Sequence, residues 1–353
     1  MERLKFNGAW TALVTPFTKS GEVDWKGLEA SIEFQISQGI TGVVPTGTTG
    51  ESPTLIWDEH ARVIDRVVDI VRGRCKVIAG TGSNSTQEAI DGTRHALNAG
   101  ANGALLVDCY YNGPSSLELR KEYYGAVAEA VHDIMLVPYI IPGRTGTAMT
   151  PEDLAILASL YPNVRAVKEA TGYIERMKRT RELVGGDFDI LSGDDDITFD
   201  IMMNKKVRAS GVISVVSNVL PAFVEKMARG ILSGEEHEAK KLHNALQPLF
   251  KIVTVKSRDN REIAGKGQFC VEDKFRNPLP IKVLMNGLGM AAGPCRRPLG
   301  KMSENGVEIV RGVVRTVWEN NPELLKPIED AYNVRIDERI RNDKYWEELV
   351  YTS

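Results

Sequence analysis

Lys168 stands in Val164-Arg-Ala-Val-Lys-Glu-Ala-Thr-Gly172, where a β-branched run reads as a buried strand and the Thr-Gly break as the turn after it. An amine whose pKa is lowered by burial can attack a carbonyl and form an imine near neutral pH. Lysines also close strands for a plainer reason, since the charge reaches water and blunts an edge. On this segment alone that alternative stands. Other groups follow apolar runs in the same way. Pro45-Thr-Gly-Thr-Thr-Gly-Glu51 brings hydroxyls, Asp108-Cys-Tyr-Tyr-Asn112 brings phenols, and Tyr139-Ile-Ile-Pro-Gly-Arg144 brings a phenol and a guanidinium. Ser192-Gly-Asp-Asp-Asp196 adds carboxylates. A phenol and hydroxyls can relay protons to a carbinolamine oxygen, and the planar fork of arginine pairs with a carboxylate. The set holds no histidine and suits Schiff-base chemistry on a keto acid.

Taken singly, each group has an ordinary use. The loop Gly47-Thr-Thr-Gly50 could cradle phosphate, but it lacks a following Lys-Ser. Tyr110 and Tyr111 can be core or interface aromatics, and Arg144 can close a surface ion pair. Asp194, Asp195 and Asp196 fit a solvated loop, a helix cap or a cation site. Only a shared location argues for a site, and location depends on the elements. Apolar runs predict strands over 10–15, 42–46, 76–80, 103–108, 134–140, 164–168, 189–192 and 211–215, several with the continuous Val/Ile/Leu content of strands buried on both faces. Between them, 25–38, 58–72 and 86–99 carry apolar residues at helical spacing. Eight such alternations fit a (β/α)₈ TIM barrel, a fold of ~250 residues whose catalytic groups project from the carboxyl ends of the strands. A doubly wound sheet would want a glycine fingerprint after the first strand, and Thr15-Pro-Phe-Thr-Lys19 is not one.

Residues 1–232 are expected to form the catalytic barrel, and 233–353 a C-terminal helical region with helices near 235–255, 280–289 and 303–319. The polar stretch 256–277 reads as a surface insertion, and the charged tail 320–353 as a helix or a wrap onto a partner. The chain has 353 residues, 42% hydrophobic and 26% charged, with a net charge of -3. A pI near 6.1 gives no case for nucleic acid or anionic membranes as partners. No apolar run approaches the ~20 residues of a membrane helix. The start, Met1-Glu-Arg-Leu-Lys-Phe6, lacks the apolar core of a signal peptide, so a cytoplasmic protein is expected. Cys75, Cys109, Cys270 and Cys295 are far apart and read as reduced thiols, and the five histidines show no HxxxH or HxH spacing. No metal site is expected.

These residues together resemble the dihydrodipicolinate synthase/N-acetylneuraminate lyase family of class I, pyruvate-dependent aldolases. The resemblance runs from about Phe6 to Met302, interrupted at 256–277. It rests on Gly47-Thr-Thr-Gly-Glu-Ser52, Tyr111-Asn112, Tyr139-Ile-Ile-Pro-Gly-Arg-Thr145, Val167-Lys168-Glu169, Leu191-Ser-Gly-Asp194 and Gly211-Val-Ile-Ser214, in that order. It implies that Lys168 forms an imine with pyruvate, so that no external cofactor is needed. It implies that Tyr139 is the general acid/base, relaying protons through Thr49 to Tyr111, and that Tyr111 reaches a neighbouring subunit's site. Thr48 and Thr49 would hold the pyruvate carboxylate, the Ile213 carbonyl and the Gly193 region would line the pocket, and Arg144 would grip the carboxylate of a small aldehyde substrate. A homotetramer built as a dimer of dimers is implied as well.

Within the family, the Thr48-Thr49 pair and Arg144 look like the branch that condenses pyruvate with L-aspartate 4-semialdehyde. An aldolase for a 2-keto-3-deoxy sugar acid or N-acetylneuraminate is the alternative, and a non-catalytic keto-acid-binding barrel a remoter one. Some positions depart from the pattern. Ile140 follows Tyr139 where asparagine is common, and Asp108-Cys109 stands where proline is usual. Trp57 stands where lysine-inhibited members often carry histidine, although His60, Asn84, Glu88 and Tyr110 match the family's allosteric positions.

Overall fold

Eight short parallel strands pair in chain order and close on themselves: β1 (Gly8–Ala12), β2 (Gly42–Val44), β3 (Lys76–Gly80), β4 (Gly103–Val107), β5 (Met135–Ile140), β6 (Ala166–Glu169), β7 (Asp189–Ser192) and β8 (Gly211–Ser214). Closure runs through β1 and β8, from Gly8 opposite Gly211 to Thr11 opposite Ser214, which leaves the barrel without a free edge. The structure is a computed structural model and describes residues 4–351. The first three residues of the stretch read above for a signal peptide, and the last two of the tail, lie outside the described residues.

Period-two alternation sorts each strand into an inner and an outer face. On β5, Met135, Val137 and Tyr139 turn inward with Phe6, Trp10, Ile78, Leu105, Leu191 and Ile213, while Leu136 and Ile140 turn outward to the helices. The same rule on β6 sends Ala166 inward and Val167 outward. It therefore puts Lys168 on the inner face, opposite Tyr139 across the β5–β6 pair. The helices that cover the outer face start on side-chain caps. Asp24 accepts from the Gly27 amide at 3.0 Å ahead of the helix Trp25–Ser37, and Thr150 accepts from the Asp153 amide at 3.2 Å ahead of Pro151–Leu160.

Two strands begin two residues from the expected start, and several others end one or two residues early. The first spans Gly8–Ala12 and not 10–15, because its pairing with β8 begins at Gly8. The sixth runs to Glu169, one residue past Lys168, because Glu169 pairs with Ser192. Val164, expected at its start, makes only an isolated bridge to Leu136.

Beyond the barrel the chain is helical at Pro221–Ser233, Glu236–Lys251, Leu279–Leu288 and Glu304–Asn320. The polar stretch 256–277 forms most of an antiparallel hairpin of β9 (Thr254–Ile263) and β10 (Gly267–Arg276). Its Val255 and Ser257 are buried, and Ser257 meets Ser303 at 3.0 Å just before the helix Glu304–Asn320. The tail folds back on its own chain. Trp346 is buried, its indole N–H donates to the Arg339 carbonyl at 2.8 Å, and its ring fits the space over Gly287. Among the described residues no helix is long and apolar enough to cross a membrane.

Candidate active site

Lys168 and Tyr139 face each other inside the rim where the strands end, each only 5% exposed. The Lys168 Nζ lies 4.1 Å from the centre of the Tyr139 ring. Burial pushes the amine down to about 8, against the pull of Asp194 and Asp195, which favour its charged form. Burial also pushes the Tyr139 phenol up to about 12, with Arg144 and a hydrogen bond to Thr48 acting the other way. An amine that loses its proton near pH 8 can attack a carbonyl. A phenol that keeps its proton can give it to a developing oxyanion or leaving hydroxide.

The hydroxyls come from the loop after β2. Thr46 and Glu51, with φ of 53° and 56°, bracket the loop in the left-handed region that non-glycine residues seldom adopt. The turn is held from below. The Thr46 hydroxyl donates to the Gly80 carbonyl at 2.9 Å, and the loop lies so close to β3 that a Cβ on Gly80 would fall 2.4 Å from the Thr46 carbonyl oxygen. Glu51 is fastened by Lys282, whose buried Nζ donates to it at 2.7 Å and also to the Thr15 and Pro294 carbonyls. The outcome is that Thr48 and Thr49 project over Lys168 and Tyr139.

Asn277 was not legible in the sequence as a site residue, and it ties this loop to the arginine. Its side-chain amide donates to the Thr49 hydroxyl oxygen at 3.0 Å, and its carbonyl accepts from Arg144 at 2.8 Å. With an oxygen lone pair of Thr49 taken, its hydroxyl hydrogen is left to point elsewhere, as a proton relay requires. Arg144 sits in the short helix Pro142–Thr145, directly after β5.

Gly193 follows β7 and gives Lys168 its room. A Cβ there would lie 2.6 Å from Ala170 Cβ and 3.2 Å from Lys168 Cε. The three aspartates divide. Asp194 lines the cleft beside Lys168, and burial together with Asp196 pushes its carboxyl up to about 6. Asp195 accepts from the Val215 and Val216 amides at 2.9 and 3.1 Å and so pins the turn after β8. Ile213 packs deeper in the barrel, and the β8 side of the cleft is walled by Val215.

Tyr111, like Ile213, lines no part of the cleft over Lys168. It is 93% exposed, with φ of 77°, and lines neither hollow of the rim. Tyr110 does, next to Tyr139 and Arg144 in a hollow of about 210 Å³. A cleft of about 300 Å³ over Lys168 shares Thr48, Tyr139 and Arg144 with it. A smaller hollow of about 150 Å³ holds Trp57, His60, Glu88 and Tyr110, and there burial lowers the His60 imidazole to about 4 and keeps it neutral. The arrangement joins an attackable amine, a proton donor, two hydroxyls and a guanidinium around a space that fits two small molecules.

Comparisons with known proteins show which family the chain resembles. The model of the dihydrodipicolinate synthetase family matches residues 5–263. The 4-hydroxy-tetrahydrodipicolinate synthase of Methanocaldococcus jannaschii is 39% identical over 311 residues, 88% of this chain and 98% of that one. Its counterpart in Geotalea daltonii is 43% identical over 299 residues, 85% and 94% of the two chains. The crystal structure of dihydrodipicolinate synthase from Aquifex aeolicus superposes with a TM-score of 0.80 at 38% identity, over 91% of this chain and 99% of that one.

Proposed function

The chain belongs to the dihydrodipicolinate synthetase family, and on that premise we propose that Lys168 is the amine through which it condenses pyruvate with L-aspartate 4-semialdehyde. The protein is a lyase of the 4-hydroxy-tetrahydrodipicolinate synthase type, acting in lysine and diaminopimelate biosynthesis. The observation that carries the role of Lys168 is its placement: a buried amine with a pKa lowered to about 8, set against the Tyr139 ring in the cleft.

The steps follow from the groups present. The neutral Lys168 amine adds to the keto carbon of pyruvate. Tyr139 protonates the carbinolamine oxygen, which leaves as water. Thr48 and Thr49 seat the carboxylate through their hydroxyls, and Thr49 passes protons to and from Tyr139. Loss of a methyl proton gives the enamine, whose carbon attacks the aldehyde of the second substrate while Arg144 holds that substrate's carboxylate. The second substrate's amine then closes the ring on the imine carbon and displaces Lys168. The covalent imine does the work of an electron sink, so the cycle calls for no external cofactor and no metal. Gly193 belongs to the pocket wall, and Val215 takes the place on the β8 side that was expected of Ile213.

Tyr111 fits the relay only as a donor to a second copy of the chain, and its exposure and left-handed backbone support that role. We place the protein in the cytoplasm as a homotetramer in which dimers exchange this tyrosine. Sedimentation of Tyr111→Phe beside the parent, with turnover lost and the assembly kept, is the expected outcome.

The decisive test of the imine is borohydride reduction with pyruvate. The peptide bearing Lys168 should gain the mass of the reduced adduct, and Lys168→Ala should lose both adduct and turnover while keeping its fold. No adduct on the parent protein would sink the assignment. Turnover of a 2-keto-3-deoxy sugar acid or N-acetylneuraminate, with none of the semialdehyde, would select the alternative aldolase.

A further inference from the structure

The hairpin of β9 and β10 follows the same alternation as the barrel, but it separates charge. Val255, Ser257 and Phe275 turn toward the start of the helix Glu304–Asn320, where the Phe275 ring lies against Gly306. Lys256, Arg258, Glu272, Lys274 and Arg276 share the opposite, exposed face. On that face Glu272 pairs with Lys256 and Arg258 at 3.3 and 3.6 Å. Among the described residues Lys274 and Arg276 make no ion pair, and both line the cleft over Lys168. Arg276 is held there by donating to the Gly143 carbonyl at 2.9 Å, which sets its charge close enough to Arg144 for the two to repel. The cleft thus gathers Arg144, Lys274 and Arg276 with Asp194 as the one carboxylate among its lining residues. Unpaired cations facing one small space are relieved by an anion. Both hairpin residues lie past residue 263, where the family match ends.

We propose that Lys274 and Arg276 are specificity residues which, with Arg144, seat the carboxylate of the second substrate and so select aldehydes that carry an anionic group. This rests on the imine chemistry proposed above. In that chemistry Thr48 and Thr49 take the pyruvate carboxylate, which leaves the hairpin charges to the second substrate.

The test uses the full chain and the double variant Lys274→Gln/Arg276→Gln, with pyruvate trapping by borohydride as a separate measurement. Losing two charge-assisted contacts should raise the KM for L-aspartate 4-semialdehyde about tenfold or more, since such bonds are the strong ones. The kcat, the KM for pyruvate and the rate of adduct formation should stay within about twofold, because Asn277, which holds Thr49, is left in place. The preference for the semialdehyde over an uncharged aldehyde such as propanal should shrink by the same factor. Arg261→Gln, on the opposite face and paired with Asp273, serves as the control for disturbance of the hairpin and should leave every constant unchanged. An unchanged semialdehyde KM in the double variant overturns this inference and leaves the imine standing. A rise that Arg261→Gln reproduces overturns it as well, since the effect would then come from the hairpin's fold. Absence of any adduct on the parent protein overturns the reading beneath it.

Discussion

The space beside Lys168 can be closed by a single methyl group. At Gly193→Ala the limit is room, not backbone angle. The new Cβ would fall 2.6 Å from Ala170 Cβ, 3.1 Å from the Glu169 carbonyl oxygen and 3.2 Å from Lys168 Cε. Ordinary carbon contacts lie near ~3.5–4.0 Å, so β6 and the turn after β7 must part by ~1 Å or the lysine stem must swing away. Overpacking of this kind costs ~1–3 kcal/mol of stability. The effect on chemistry is larger, because a misplacement of ~1 Å in a reacting group costs about 10²-fold. We expect the rate of pyruvate-dependent borohydride trapping to fall about a hundredfold while the protein still unfolds cooperatively a few degrees lower. Gly312→Ala is the control, since nothing lies within 4 Å of a Cβ there. It should trap at the parent rate. Trapping by Gly193→Ala at that same rate would refute the claim that this glycine makes room for the amine.

Further outcomes follow from the buried charges of the site. Only the deprotonated amine attacks, and the Lys168 pKa is lowered to about 8, so trapping should rise about tenfold between pH 6 and pH 7 and level off above about 8. Because Asp194 favours the charged amine, Asp194→Asn should move that plateau to lower pH, and a parent rate still climbing above pH 10 would contradict the burial argument. Lys282→Met should cost ~3–5 kcal/mol in denaturant unfolding, since it strands the Glu51 carboxylate at 0% side-chain exposure; pairing it with Glu51→Gln should recover part of that loss. A cost below ~1 kcal/mol would show that the pair does not hold the threonine loop.

The barrel was readable because strands buried on both faces leave unbroken apolar runs, and period two then decides which side chains meet. Lys168 and Tyr139 were placed that way, with no need of long-range information. What the sequence could not show was the outer rim. In 256–277 Phe269, Val271 and Phe275 do alternate along β10, but Asp273 interrupts them and the facing β9 positions Ser257, Asp259 and Arg261 are polar, so the stretch reads as a polar insertion and not as two strands. Asn277 acts through one amide and one carbonyl brought across the whole chain, and such a contact has no local signature. The departures from the family pattern have local causes. Ile140 points outward into the helix layer, where an apolar side chain packs. Asp108 is buried with the Tyr124 hydroxyl donating to it at 2.6 Å, and burial pushes its carboxyl up to about 7, so it takes up a packing position away from the cleft.

The bridge made by Asn277 also bears on when the site comes into being. It joins Thr49 to a residue 228 positions away and Arg144 to one 133 positions away. Contacts of such separation form late, after the loop entropy between them has been overcome. A chain still emerging from the ribosome can close its barrel around the amine once β8 is made, yet it holds Thr49 and Arg144 untethered until the hairpin has followed. If Lys168 is the nucleophile proposed above, it is buried before its rim is fixed, and the growing chain completes that rim only when nearly four-fifths of it has been synthesised.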